Sequence, residues 1–272
     1  MHPVIAAESV TELGASARGA VLVVGSHAGV IAVYLGAAAG AHALILNDAG
    51  VGLEGAGIAG LAWLQGIGMA ACAVAHTSAR IGDGADSLAR GVISHCNHAA
   101  TQAGVRVGMA ACEAAKLLAA HEALPGVPSP YRDGRYKLAV CGGVEVWALD
   151  SVGKLVEADE GRILLIGSHG ALHGGRPDSA LNLHGRPIAA RAALFNDAGV
   201  GIDAIGITRL PELARRGIPA ATVDCMSARI GEGRSMWESG VLSHVNPLAA
   251  AQGAHPGQPA REWVESLPAL RL

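Results

Sequence analysis

Aromatic side chains are scarce in this chain: one Phe, three Tyr and four Trp make up 3% of 272 residues. That leaves too few platforms for stacking nucleic-acid bases. Charge is sparse too, at 16% of residues with a formal net charge of -3, so no basic footprint for nucleic acid or an anionic membrane is present. The five cysteines are odd in number, have no CxxC spacing and sit mostly among Ala and Val. They read as reduced thiols of a cytoplasmic protein. No basic stretch precedes an apolar core at the start, so no secretory signal is expected. The apolar run at 28–41 is too short to span a bilayer. Its counterpart in the second half carries His173, Arg176, Asp178, His184 and Arg186, which excludes a lipid-facing role.

What the chain has in quantity is glycine, 38 residues, within a 51% hydrophobic composition, as in a compact, heavily buried α/β protein. It also has a long repeat. Asn47-Asp48-Ala49-Gly50-Val51-Gly52 returns unchanged as Asn196-Asp197-Ala198-Gly199-Val200-Gly201, 149 residues on. The same shift lays Ser78-Ala79-Arg80-Ile81-Gly82 on Ser227-Ala228-Arg229-Ile230-Gly231, and Ser94, His95 and Asn97 on Ser243, His244 and Asn246. Upstream, Gly25-Ser26-His27 meets Gly167-Ser168-His169 at a shift of 142, so the second copy holds seven extra residues between its Ser-His pair and its hexad. A solenoid would repeat about every 20 to 50 residues. The expectation is therefore a tandem duplication: one lobe over 1–124, a Pro/Gly-rich linker over 125–137, and a second lobe over 138–272.

Unbroken apolar runs at 21–24, 43–46 and 70–75, matched by 163–166, 192–195 and 220–223, read as strands covered on both faces. Ser9 is placed to cap a helix over 10–16, and helical spacing predicts further helices over about 54–66, 85–103 and 109–124. Alternating strands and helices imply two Rossmann-like α/β lobes, each a mainly parallel sheet flanked by helices.

In such sheets ligands bind beyond the carboxyl ends of the strands. Ser26-His27, Asn47-Asp48 and Ser78-Arg80 all follow strands, as do Ser168-His169, Asn196-Asp197 and Ser227-Arg229. Ser26, His27, Asp48, Ser168, His169 and Asp197 are the candidate catalytic residues, as nucleophile or orienting hydroxyl and as acid/base. Arg80 and Arg229 are candidate anion clamps, with Ser78, Ser227, Asn47, Asn196, Gly50 and Gly199 as further binding positions. His95 and His244, on the helix predicted over 85–103 and its counterpart, are expected in a supporting layer. Plainer roles compete for several of these: capping for Ser78 and Ser227, turn bracing for Asp48 and Asp197, structural hydrogen bonding for His27 and His169.

The reading that follows is an enzyme on a small, polar, anionic metabolite of the carboxylate or amide class, most simply a hydrolase working in a cleft between the lobes. The expected partner is that small molecule, with no cofactor, metal, nucleic acid or membrane, and a homo-oligomer is allowed. Three alternatives stand. Gly50-Val51-Gly52-Leu53-Glu54-Gly55 matches GxGxxG, pointing to an NAD(P)-linked oxidoreductase, although Ala75 stands in copy one opposite the Asp224 that would bind ribose. His27, Asp48, His76 and His95, or His169, His173, Asp197 and Asp224, are metal-ligand types without HxxxH or HxH spacing. Two lobes around a cleft also describe a non-catalytic binding module.

Overall fold

The computed structural model describes residues 1–122 and 125–268. Residues 123 and 124, where the helix predicted from Met109 and the first lobe would end, and 269–272 lie outside the described residues. The chain forms a mixed α/β structure in two compact units. Unit 1 comprises Met1–Val51, Gly55–Arg132 and Val200–Asp203; unit 2 comprises Gly52–Glu54, Asp133–Gly199 and the chain from Ala204 onward.

Unit 1 contains β1 (Val4–Ala7), β2 (Val21–His27), α1 (Val30–Ala38), β3 (Ala43–Asn47), α2 (Ala59–Gln65), β4 (Ala70–Val74), α3 (Gly84–Arg90), β5 (Ile93–Cys96), α4 (His98–Gln102) and α5 (Ala111–Ala120). Its sheet runs in sequential order, β1-β2-β3-β4-β5. The first four strands are parallel, and β5 returns antiparallel beside β4. There is no reversal of order such as marks a doubly wound sheet. Side chains alternate between two cores, as strand geometry requires. Leu22, Val24, Leu44 and Leu46 pack with Val33, Leu61 and Leu64 of α1 and α2 on one face. Val21, Val23, Ile45 and Cys72 pack with Ile93, Ala100, Ala115 and Leu118 of β5, α4 and α5 on the other.

Unit 2 contains β6 (Arg135–Cys141), β7 (Val144–Leu149), β8 (Ile163–His169), β9 (Asn182–Leu183), β10 (Arg186–Pro187), β11 (Ala192–Asn196), α6 (Arg209–Arg215), β12 (Ala220–Val223), α7 (Gly233–Glu238), β13 (Leu242–Val245), α8 (Pro247–Ala250) and α9 (Ala260–Ser266). The main sheet runs β13-β12-β11-β8-β7-β6, with β9 and β10 forming a separate two-stranded ribbon. From β7 to β12 the strands are parallel, and both outer strands, β6 and β13, are antiparallel to their neighbours.

Four sequence expectations change. The stretch after Ser9 forms two short 3-10 turns, Val10–Glu12 and Ala15–Ala17, with Gly14 between them; Ser9 does accept the Thr11 N–H. The helix expected over 54–66 is a 3-10 turn at Leu53–Gly55 followed by α2. The helix expected over 85–103 is three elements, α3, β5 and α4, so Ser94 and His95 lie on a strand. Gly91 permits the break: a Cβ there would lie 2.3 Å from the Ser87 carbonyl oxygen, and β-branched Val92 and Ile93 then favour extended chain. Finally, β6 begins at Arg135, inside the stretch read as linker.

Candidate functional site

Parallel pairing aligns the strand ends of unit 1. His27 on β2 sits beside Asn47 on β3, and Asn47 beside Val74 on β4. Antiparallel β5 brings Ile93 beside Val74, which returns Ser94 to the same edge.

The hexad at this edge has an unusual backbone. Ala49, Gly50, Val51 and Gly52 have φ of 49°, 73°, 63° and 71°; Ala198, Gly199, Val200 and Gly201 repeat this at 52°, 72°, 62° and 71°. Left-handed residues normally occur singly, and each non-glycine costs about 1–2 kcal/mol there. A β-branched valine is the least suited of all. Side chains hold the turn: Asn47 Oδ1 accepts the Ala49 N–H at 2.9 Å and Asp48 Oδ1 the Gly50 N–H at 3.1 Å. Asn47 is fully buried and also donates to the Ala79 carbonyl at 3.2 Å. Asn196 does the same, accepting from Ala198 N and donating to Ala228 O. These two asparagines brace backbone.

Asp48 does more. It is buried, and its Oδ1 also receives the His76 N–H at 2.9 Å and the His76 ring nitrogen Nδ1 at 2.8 Å. Its Oδ2 accepts the Ser94 hydroxyl at 2.8 Å, and His95 Nδ1 lies 3.1 Å from that same hydroxyl. Burial on its own would raise the Asp48 pKa. The hydrogen bonds from the His76 ring and backbone and from Ser94 outweigh it and hold the carboxyl below its ordinary range. Since an ionised carboxylate only accepts, His76 carries its proton on Nδ1, and Nε2 becomes the ring's basic nitrogen. The His76 side chain is 25% exposed. A buried acid orienting a partly exposed imidazole is the arrangement of a general base.

The corresponding place in unit 2 is chemically different. Asp197 Oδ1 accepts the N–H groups of Gly199 and Cys225, both at 3.0 Å. At the 149-residue shift of the hexad, Cys225 falls on His76 and Asp224 on Ala75. Ser243 bonds Thr222 at 3.0 Å, and among the described residues it makes no hydrogen bond to Asp197 like that of Ser94 to Asp48. Burial, then the Asp197 and Asp224 charges, push the Cys225 thiol up to about 12, which keeps it protonated at neutral pH. The ligand atoms of Asp197, Asp224 and Cys225 lie within 4.8 Å of one another, the one such group found among the described residues. Asp197 and Asp224 belong to the second of the two sets drawn from the sequence, and Cys225 belongs to neither.

No family model, curated protein or solved structure matches the chain.

Several candidate residues have other occupations. The Ser26 hydroxyl accepts the Val10 N–H at 3.1 Å, and the Ser168 hydroxyl the Val152 N–H at 2.9 Å. Both tie the connection between neighbouring strands to the sheet, and among the described residues neither has a base as hydrogen-bond partner. His27 is buried, its Nδ1 accepts the Gly29 N–H at 3.1 Å, and burial lowers its pKa to about 4. It is a neutral imidazole bonded to backbone. His169 lies with its ring 5.7 Å from that of His173, and His173 Nε2 is 3.4 Å from buried Arg209. Ser78 and Ser227 brace the turn after the strand instead of capping a helix: each donates to a carbonyl three residues back and accepts an N–H fourteen residues on.

The arginines are occupied too. Arg80 Nε and Nη2 reach Asp203 Oδ2 at 2.9 and 2.7 Å within unit 1. Arg229 Nε meets Glu54 at 2.8 Å and Nη1 meets Glu232 at 3.2 Å within unit 2. Protein carboxylates thus already sit on both guanidinium groups. Of the supporting pair, His95 joins the Asp48 network, whereas His244 Nδ1 is buried with no hydrogen-bond partner among the described residues. His76, named from the sequence only in a possible metal set, does not recur: Cys225 stands 149 positions on.

Proposed function

We propose that the protein is an enzyme acting by acid-base chemistry on a small, polar, anionic metabolite, most simply a hydrolase of the carboxylate or amide class, and that unit 1 carries the base. The observation that supports this is the 2.8 Å bond from His76 Nδ1 to the buried Asp48 carboxylate, whose second oxygen takes Ser94. In this reading His76 Nε2 removes a proton from the attacking water as water adds to the acyl carbon. The imidazolium then returns that proton to the departing nitrogen or oxygen, giving acid plus amine or alcohol. Asp48 holds the tautomer and stabilises the imidazolium without itself taking the proton. An anionic group on the substrate would take Asp203's place on Arg80. The left-handed run from Ala49 to Gly52 is the strained element that such a site would have to maintain.

We also read the two units as copies of one ancestral lobe, on the strength of the identical hexads, their matching φ values and the shared sequential strand order. Copy two would then have exchanged the histidine for Cys225 and Asp224. A dinucleotide has less support, because the chain after Gly52 makes a 3-10 turn with Glu54 at φ 53° and no helix begins until Ala59.

The experiment is a panel of small carboxamides, N-acyl amino acids and carboxylate esters, scored both for hydrolysis and for a shift in Tm. Turnover lost in His76→Gln and Asp48→Asn, with the far-ultraviolet spectrum kept, is the expected result. A small acid that raises Tm and is recovered unchanged would point to a binding module, and a saturable shift with NAD or NADP to an oxidoreductase.

A further inference from the structure

Cys72 and Cys96 are 24 positions apart in sequence and carry no motif, yet the sheet sets them directly opposite each other on β4 and β5. The adjoining pair, Ala71 and Asn97, is the hydrogen-bonded one, since Asn97 N donates to Ala71 O at 3.0 Å. Cys72 and Cys96 therefore occupy a non-hydrogen-bonded position, where side chains stand closest and Cα atoms are about 4.5 Å apart. That separation falls inside the disulfide range of about 4.4–6.8 Å. Both side chains join the same core face, under α4 and α5. No other two cysteines are register partners among the described residues.

We propose that Cys72 and Cys96 are a reversible dithiol/disulfide site that takes hydroperoxide as oxidant, with Cys96 as the reacting thiol and Cys72 as the resolving one. The division of roles follows from position. Cys72 is fully buried, whereas Cys96 is partly exposed at the end of β5. The neighbouring Cys72 thiol, and then the Arg106 charge, favour the Cys96 thiolate; the same neighbour and burial keep Cys72 a thiol. The Cys96 thiolate attacks one peroxide oxygen, the O–O bond breaks, and alkoxide or hydroxide leaves, giving a sulfenic acid. Cys72 sulfur then attacks that sulfur; the S–O bond breaks, and the hydroxyl leaves as water with the Cys72 proton. The two thiols are oxidised and the peroxide is reduced. The disulfide ties β5 to β4, and it closes a loop that carries His76, Ser78 and Arg80 and ends beside Ser94 and His95. The inference does not depend on the acid-base reading of that site.

The test is intact-mass analysis and peptide mapping of the full chain after brief treatment with hydrogen peroxide, with and without later dithiothreitol. The expected result is loss of two hydrogens, about 2 Da, a peptide pair linked through Cys72 and Cys96, a raised Tm, and return of all three to the starting values on reduction. In Cys72→Ala, dimedone should trap a sulfenic acid at Cys96; in Cys96→Ser, neither product should form. Wild-type protein whose Cys72 and Cys96 both remain open to alkylation after peroxide would overturn the proposal. So would a bond through Cys112, Cys141 or Cys225, or one that joins two chains. The wild-type measurement decides the matter even if a variant fails to fold.

Discussion

Replacing His27 with Gln should remove much of the protein's sensitivity to acid. The folded imidazole has a pKa of about 4 because burial penalises its charged form, against 6.5 for the ordinary group. Its Nδ1 is also committed as acceptor to the Gly29 N–H. As pH falls below 6.5 the unfolded chain takes up a proton that the folded chain refuses until about pH 4, so acid favours unfolding. The stability is complete above pH 6.5 and is lost as pH falls toward 4. At 1.36 kcal/mol per tenfold, moving from pH 7.5 to pH 5 costs about 2 kcal/mol through this group, and below pH 4 about 3 kcal/mol. Urea unfolding at the two pH values, followed by far-ultraviolet circular dichroism, measures it. Wild type should lose about 2 kcal/mol more than His27→Gln between pH 7.5 and 5, with similar m-values. Equal losses in the two proteins would refute the assignment of His27 as a buried neutral histidine.

Asn47→Ala should lower stability by about 2–5 kcal/mol in urea unfolding, because it strands the Ala79 carbonyl and the Ala49 N–H in the interior. Leu44→Ala, at a fully buried centre of the first core, should cost about 2–5 kcal/mol by the same measurement. Arg229→Ala should change stability by less than about 1 kcal/mol, with the small effect fading in high salt, since its ion pairs are solvent-exposed.

The buried strands were legible in the sequence because a strand covered on both faces has to be apolar throughout, and 21–24, 43–46, 163–166 and 192–195 are. The antiparallel strand β5 was not. Ser94 and His95 face partners at the strand-end edge, so their polar side chains conceal the strand, and Gly91 gives only a break in an otherwise helical stretch. The sequential strand order leaves no trace in local pattern at all. For the site, recurrence along the sequence points to Asn47, Ser26, Ser78 and their counterparts, and these hold backbone. A turn of successive left-handed residues needs the same braces wherever it occurs, so the braces recur. Recurrence points to Asp48 as well, but not to its partner His76, since Cys225 stands 149 positions on. Recurrence reports what the fold requires at both positions; a group present at only one of them escapes it.

The most direct test of the account is the hydrolysis rate of the best substrate from the amide and ester panel, compared among wild type, Asp48→Asn and Asp197→Asn. An oriented general base contributes about 10²–10⁴ in rate. Asp48→Asn should therefore lower kcat/KM at least about a hundredfold with the fold retained, while Asp197→Asn, whose Oδ1 takes the Cys225 N–H where Asp48 takes His76, loses far less. Full turnover in Asp48→Asn, or a collapse confined to Asp197→Asn, would contradict the assignment of the base to unit 1.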